Sequence, residues 1–247
     1  MFYLTLLSRR HYAYRDYSCK RREQTDPRKN IKLFHGKPII AYSIETALAS
    51  GCFDKVIVST DDQEIAQIAR QYGAEVPFMR PANISDDYAT TMDVIAHALE
   101  WCETHHWSVD LICCIYSTAP FITAEDIKAG YQLLLTEKVE FVFSATSFPF
   151  PIQRAIKLDE DKRVSMFAPE YELLRSQDLP DAYHDAGQFY WGKTRAFIDK
   201  LSMFSPHSKA VLIPRSRVQD IDTEEDWDNA EALYSVLVLK QHGQQAS

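Results

Sequence analysis

Glycine is scarce in this chain: seven residues in 247, under half the share of roughly 7% usual for globular proteins. An α/β enzyme that binds phosphates normally has more, because backbone N–H groups approach an anion most closely where no Cβ intervenes. Positive charge is also short. The chain carries 27 Lys and Arg against 35 Asp and Glu, a formal net charge of −8, which argues against a nucleic-acid binder. A small anionic substrate is not excluded, since a local pocket can oppose the net charge. No run of about 18 apolar residues exists, so no membrane span is expected. In "MFYLTLLSRR" the charge follows the apolar stretch and no small-residue cleavage site comes after it, so no signal peptide is read there. Five cysteines without CxxC spacing fit reduced thiols and a cytoplasmic location. Adjacent Cys113 and Cys114 fit core packing. No GxGxxG follows any predicted strand, which leaves a nicotinamide dehydrogenase unsupported.

What is present is ordered. Hydrophobic residues make up 46% of the chain, and its length fits one large or two small domains. "KVIVST" (55–60) reads as a buried strand, and "DDQEIAQIARQYG" as a helix capped by Asp61 or Asp62 and stopped by Gly73. "AEVPFMRP" gives a short extended piece, and "TTMDVIAHALEWCETHH" a helix. "DLICCIYST" is a second buried strand with a polar end. "TAEDIKAGYQLLLTE" follows as a helix with Thr123 as cap and Asp126 at the capping-box position. "EFVFSATSF" is a further strand. The alternation then breaks at about 148–192, where hairpin-like strands flank a charged turn and the aromatic stretch "YHDAGQFYWG" follows. "KAVLIPRSRVQDID" supplies a late strand, and "TEEDWDNAEALYSVLVLK" a closing helix capped by Thr223. Residues 239–247 read as a flexible tail. The expected fold is α/β: a three-layer sandwich with a mostly parallel sheet and a small hairpin insert, with any ligand at the carboxyl ends of the strands.

Several residues can carry chemistry there. Asp220 and Asp222, two apart at the end of a β-like run, project to one face. Such a pair suits Mg²⁺, which uses one or two carboxylates plus substrate phosphates. It equally suits an acidic turn before a helix whose first turn holds Glu224 and Glu225. In "YHDAGQFYWG", Gln188 and Tyr190 can wall a polar sugar, or belong to a buried aromatic strand with Gly187 as a bulge. Arg80 and the Thr90–Thr91 pair precede a helix, a place that attracts polar ligand atoms or simply caps itself. Arg154 and Arg175 can grip a carboxylate or lie solvated on the surface. His35 and His97 have no ligand spacing and read as structural.

"RKNIKLFHGKPIIAYSIETAL", "VIVSTDDQEIA", "GAEVPFMRP", "FVFSATSFPFPIQRA", "YHDAGQFYWG" and "RVQDIDTEEDW" occur in the order and spacing of the CMP-sugar synthetases, and the chain resembles that family over residues 28 to about 238. The "FPFPIQRA" and "HDAGQFYWG" segments place the resemblance in the branch acting on pseudaminic acid, with N-acetylneuraminic and legionaminic acid as alternatives. It implies a Rossmann-like nucleotidyltransferase domain over 28–238 that joins CMP from CTP to a nine-carbon α-keto acid sugar and releases pyrophosphate. It further implies Mg²⁺ on Asp220 and Asp222, and a nucleotide site drawing on Lys29, Asn30, Arg80, Thr90 and Thr91. Gln188 and Tyr190 would line the sugar pocket, with Arg154 or Arg175 as partner for the sugar carboxylate. A homodimer with the insert reaching across is part of the same expectation, as is a product used to glycosylate flagellin or surface polysaccharide. Where sialate relatives have a glutamine, this chain has Tyr116, so sugar contacts there do not transfer. The general base stays open.

Part of the glycine shortage traces to the start. The family opens with an apolar strand and a loop of the type Ala-Arg-Gly-Gly-Ser-Lys; here only Lys29 and Asn30 behind Arg28 survive. Yet His11–Pro27 can be back-translated so that the register one base later reads IMRIAIIPARGGSKRI, running on into P-R-K-N. Residues 1–27 are therefore expected to be an out-of-frame leader, joined near Asp26–Pro27 by loss of one base. The chain as written is then expected to lack the first strand and the triphosphate clamp, and to be severely impaired in catalysis. An inactive remnant that binds sugar or dimerises is the reading from another class.

Overall fold

The computed structural model describes residues 3–7, 28–85 and 91–245, with 3–7, 91–92 and 240–245 described through the backbone alone. Strand β1 (Tyr3–Leu7) comes first, followed by the two-residue strands β2 (Leu33–Phe34) and β3 (Lys37–Pro38) and helix α1 (Ile39–Ser50). Between β2 and β3, His35 and Gly36 take φ of 46° and 89°, the doubly positive turn that matches the twist of a tight hairpin. Strand β4 (Lys55–Ser59) leads into α2 (Gln63–Gln71), and α3 (Thr91–Thr104) into β5 (Leu111–Tyr116). Asp62 caps α2 by accepting from the Glu64 and Ile65 amides. The capping box expected at α4 (Ala124–Thr136) is present, formed by Thr123 and Asp126. After β6 (Phe141–Ser147), the hairpin β7 (Ile156–Leu158) and β8 (Val164–Met166) forms around a charged turn. The long strand β9 (Tyr183–Lys193), the short helix α5 (Thr194–Ile198), strand β10 (Ser208–Leu212) and helix α6 (Glu224–Gln245) complete the chain. α6 continues to Gln245, several residues into the stretch read from sequence as a tail.

The main sheet has the order β10-β6-β9-β5-β1-β4. Strands β4, β5, β6 and β10 run one way, while β9 and β1 run against both of their neighbours. The sheet is therefore mixed rather than mostly parallel. Among the strands of the described residues, only β10 and β6 are adjacent and parallel. Antiparallel β9 brings its first residues to the same end as the last residues of β5 and β6, which delivers the "YHDAGQ" segment to the expected ligand end.

A second correction concerns β1. The sheet was expected to lack a strand, but the backbone of Tyr3–Leu7 lies between β5 and β4, with Tyr3 opposite Tyr116 and Ser59, and Leu7 opposite Ile112 and Lys55. An extended segment satisfies the backbone groups of both neighbours whichever way it runs. Being reversed, it leaves the sheet at the end away from Tyr116. The rest of the leader, residues 8–27, lies outside the described residues.

Trp191, Phe189 and Phe141 are fully buried on β9 and β6. The Trp191 indole donates to the Ile127 carbonyl at 3.0 Å and stacks on Phe53 at 5.0 Å. Gly130 on α4 lies against this pair: a Cβ there would fall 2.6 Å from Trp191 and 2.8 Å from Phe189. Helix and sheet meet closely because that position has no side chain. A separate aromatic cluster of Phe34, Tyr42, Phe121, Trp227 and Tyr234 holds α6 against the β2–β3 turn and α1. This docking fixes where the loop before α6 sits. Among the described residues no helix is long and apolar enough to cross a membrane.

Candidate active site

Three segments meet at the carboxyl end of β5: the turn 28–32, the stretch Tyr116–Phe121, and the loop 217–223 before α6. Lys29 donates its amino group to the Ile221 carbonyl and reaches Asp222 Oδ1 at 3.2 Å. Asn30 is buried, and its Oδ1 accepts from the Ser117 hydroxyl at 2.5 Å. Lys32 pairs with Glu224 at 2.7 Å and lies over the Trp227 ring. The Lys29–Asn30 pair picked out from sequence thus ties the aspartate loop to the end of β5.

The aspartate loop is braced from below by Arg217, which sequence reasoning did not single out, and Asp126, which it read as a capping residue. Arg217 makes a bidentate pair with Asp126, Nη1 to Oδ2 at 2.5 Å and Nη2 to Oδ1 at 3.0 Å, and also donates to the Phe121 carbonyl at 3.2 Å. Burial alone would push the Asp126 carboxyl up. Hydrogen bonds from Arg217 and Thr123 outweigh it and hold the carboxyl below the ordinary range. The backbone carbonyl of Arg217 in turn accepts from Gln188 Nε2 at 2.5 Å. An Asp in a Thr-x-x-Asp box reads from sequence as a cap alone. Its partner 91 residues away leaves no local signal.

Asp220 and Asp222 share this loop. Desolvation and then the neighbouring Asp222 charge raise the Asp220 carboxyl, with Lys29 opposing. Two carboxylates near enough to disfavour each other's charge, beside one ammonium, form a hard-oxygen donor pair that a divalent cation would relieve. Among the described residues no group of three or more His, Cys, Asp and Glu is placed to hold a metal. A cation bound here would take this pair from the described residues, with its remaining ligands supplied by substrate or water. The donor set fits Mg²⁺ on those terms.

The remaining sequence candidates fall in different surroundings. Arg80 is buried, with its guanidinium on Asp61 (3.0 Å) and Ser85 (3.2 Å), pinning the 80–85 loop to the end of β4. Thr90 lies outside the described residues, and Thr91 begins α3. Arg154 donates to the Leu174 carbonyl, and Arg175 makes a bidentate pair with Asp178, so both are engaged within the insert. Gln188 and Tyr190 are 3% and 2% exposed. They lie beneath the surface, as the buried-strand alternative had it, because β9 is a central strand covered on both faces from Gln188 to Gly192; the exposed end of the stretch is Tyr183–His184. Gln188 Oε1 is buried without a hydrogen-bond partner among the described residues.

One further group collects under the site. Tyr190 donates its hydroxyl to Asp185 Oδ2 at 2.7 Å, and the Gly187 amide donates to Oδ1 at 2.9 Å. Gly187 has φ of 62°, and this left-handed residue folds the bulge so that Asp185 faces Tyr190 five positions on. The Tyr116 ring lies against Tyr190 from the other side, with ring centroids 5.4 Å apart. Burial pushes the Asp185 carboxyl up.

Comparison with known proteins bears on these groups. Residues 27–242 match the family model described as Cytidylyltransferase. The chain is 46% identical over 210 residues, covering 85% of itself and 90% of the relative, to a pseudaminic acid cytidylyltransferase of Campylobacter jejuni subsp. jejuni serotype O:2. It is 30% identical over 203 residues, 82% of itself and 47% of the relative, to an N-acylneuraminate cytidylyltransferase of Escherichia coli O18:K1:H7. In fold it is similar to a CMP:2-keto-3-deoxy-manno-octonic acid synthetase solved with CTP, at 14% identity and a TM-score of 0.61, over 86% of this chain and 94% of that one.

Proposed function

Because the chain belongs to the cytidylyltransferase family, we propose that it transfers CMP from CTP to pseudaminic acid, giving CMP-pseudaminic acid and pyrophosphate. The observation that carries the choice of sugar is the margin between 46% and 30% identity to the two named relatives. The anomeric hydroxyl oxygen of the sugar attacks the α-phosphorus of CTP, and pyrophosphate leaves with the bonding electron pair. Asp220 and Asp222 would hold Mg²⁺, which when bound neutralises phosphate charge and eases departure of pyrophosphate. Lys29, already over Asp222, supplies a second positive charge beside the same phosphates. Arg80, Thr90 and Thr91 stand as the cytidine-side candidates. Arg154 and Arg175 are the candidates for the sugar carboxylate, each exchanging its present partner for the ligand.

The same reading takes residues 1–27 as an out-of-frame leader, with the glycine-rich triphosphate loop restored by reading one base later. It also takes the working form as a cytoplasmic homodimer built through the insert. Ten of the nineteen exposed large apolar side chains among the described residues fall between Phe148 and Tyr183, with Phe150 79% and Leu173 93% exposed. The product would serve glycosylation of flagellin or surface polysaccharide. Reversed β1 favours a second reading for the chain as written: a protein that binds sugar without transferring CMP. Pyrophosphate release from CTP with pseudaminic, N-acetylneuraminic and legionaminic acids tests the assignment. Release with pseudaminic acid alone is expected; preference for another sugar overturns the substrate.

A further inference from the structure

Resting on the placement of Mg²⁺ at Asp220 and Asp222 in that reading, we propose that Lys29 is the resident counter-cation of the aspartate loop, and that a divalent cation binds there by displacing it. The Lys29 ammonium holds two oxygens of the loop, the Ile221 carbonyl and Asp222 Oδ1, the latter at 3.2 Å. A carboxylate and a backbone carbonyl are both hard-oxygen donors of the kind a divalent cation takes. Lys29 therefore stands on this donor set as a monovalent substitute. A dication on Asp222, at the roughly 2.1 Å of an Mg²⁺–oxygen bond, would lie about 5 Å or less from the ammonium. Like charges that close disfavour each other, so the lysine gives way.

The exchange is local. The backbone under Lys29 is fixed: the Ile31 amide donates to the Arg28 carbonyl at 3.0 Å, and buried Asn30 accepts from the Ser117 hydroxyl. The side chain above it is a compact charge on a flexible four-carbon stem. The loop has other supports that stay when the ammonium leaves. The Asp222 and Thr223 amides both donate to Asp226 Oδ2, at 3.2 and 2.9 Å, and the Ile221 amide donates to Asp220 Oδ1 at 3.1 Å. The Asp222 side chain is 58% exposed, so a hydrated cation reaches it without any opening of the chain. A partly exposed ion pair is a weak one, as an exchangeable contact requires. Once released, the ammonium stays tethered beside the loop, where the triphosphate of the proposed reaction brings negative charge.

A lysine that only braced the loop would, on removal, loosen the metal ligands and weaken binding. A resident cation, once removed, leaves them open and strengthens it. The two roles therefore differ in sign, and the test needs no turnover. Mn²⁺ binding to the full chain is measured calorimetrically without nucleotide. Lys29→Met should bind Mn²⁺ about fivefold more tightly than wild type, the worth of one partly exposed charge pair. Lys29→Arg, which keeps the charge, should not tighten binding, and neither should Lys37→Met, which removes a charge paired with Glu45 instead. On the wild-type chain itself, Mg²⁺ should raise labelling of Lys29 by an amine-reactive reagent relative to Lys37, read by mass spectrometry. Mn²⁺ binding that is lost in Asp222→Asn yet weakened or unchanged in Lys29→Met overturns the displacement alone. So does Lys29 labelling that Mg²⁺ leaves unchanged or suppresses. Absence of Mn²⁺ binding in both wild type and Lys29→Met, or binding that is unchanged in Asp222→Asn, overturns the metal assignment and the displacement with it.

Discussion

Asp126 and Arg217 show most plainly what a single contact does here. The pair is largely buried, with side chains 11% and 22% exposed, and it clamps the start of α4 to the loop that carries Asp220. Removing one partner leaves a buried charge, a loss of about 3 kcal/mol. Arg217→Gln should therefore lower unfolding free energy by roughly that amount in urea melts and weaken Mn²⁺ binding at Asp220 and Asp222. An unchanged midpoint would remove the clamp from the account. The pH dependence has a definite sign. The folded Asp126 carboxyl is held below its ordinary value, so its contribution is present above the unfolded value of about 3.9 and is lost as pH falls through the folded one. Wild type should lose more stability than D126N on acidification below about pH 4. At this scale the sequence was legible in part. Asp220, Asp222, Lys29 and Asn30 came from local spacing and resemblance, and the structure brings them together. Arg217, Ser117 and Asp185 were not, because each is defined by a partner on another element or across a bulge.

At the scale of elements, strand and helix placement followed from apolar periodicity, caps and glycine stops, and those signals are local. Sheet order and strand direction are not local, which is why a mixed sheet was read as mostly parallel. The Gly130 contact belongs here. A methyl at that position would meet Trp191 and Phe189, so Gly130→Ala should destabilise by about 1–3 kcal/mol despite alanine's better helix propensity. A gain in thermal midpoint would mean that α4 does not lie so close to β9. Strand β1 is testable in the same way. Thr5 sits mid-ladder between Ile57 and Cys114, and proline cannot donate there. Thr5→Pro should lower the thermal midpoint by several degrees. No change would mean that Tyr3–Leu7 does not complete the sheet.

For the molecule as a whole, β1 matters through its direction. It runs from the site end of β4 and β5 toward the opposite end, so the chain leaves the sheet away from Lys29 and Asp222. A strand of the opposite sense would deliver the following loop directly to them. That is the physical content of the proposed lesion: the slot is filled, but the strand in it ends away from Lys29 and Asp222. The insert's exposed apolar side chains bear on the same scale. Charging two of them, Phe150→Asp with Leu173→Asp, should convert a dimer to monomer in light scattering and leave the fold intact. A wild-type monomer would contradict assembly through the insert.

The measurement that tests the account most directly is Mg²⁺-dependent pyrophosphate release from CTP and pseudaminic acid. The chain as written is compared with a version that begins MRIAIIPARGGSKRIP and continues at Arg28. The account predicts turnover in the restored chain and a rate at least about a hundredfold lower, roughly the loss of one preorganised set of anion contacts, in the chain as written. Equal rates in the two would contradict the account of the phosphate clamp, and a folded restored chain that releases no pyrophosphate with any nine-carbon keto acid sugar would contradict the function itself.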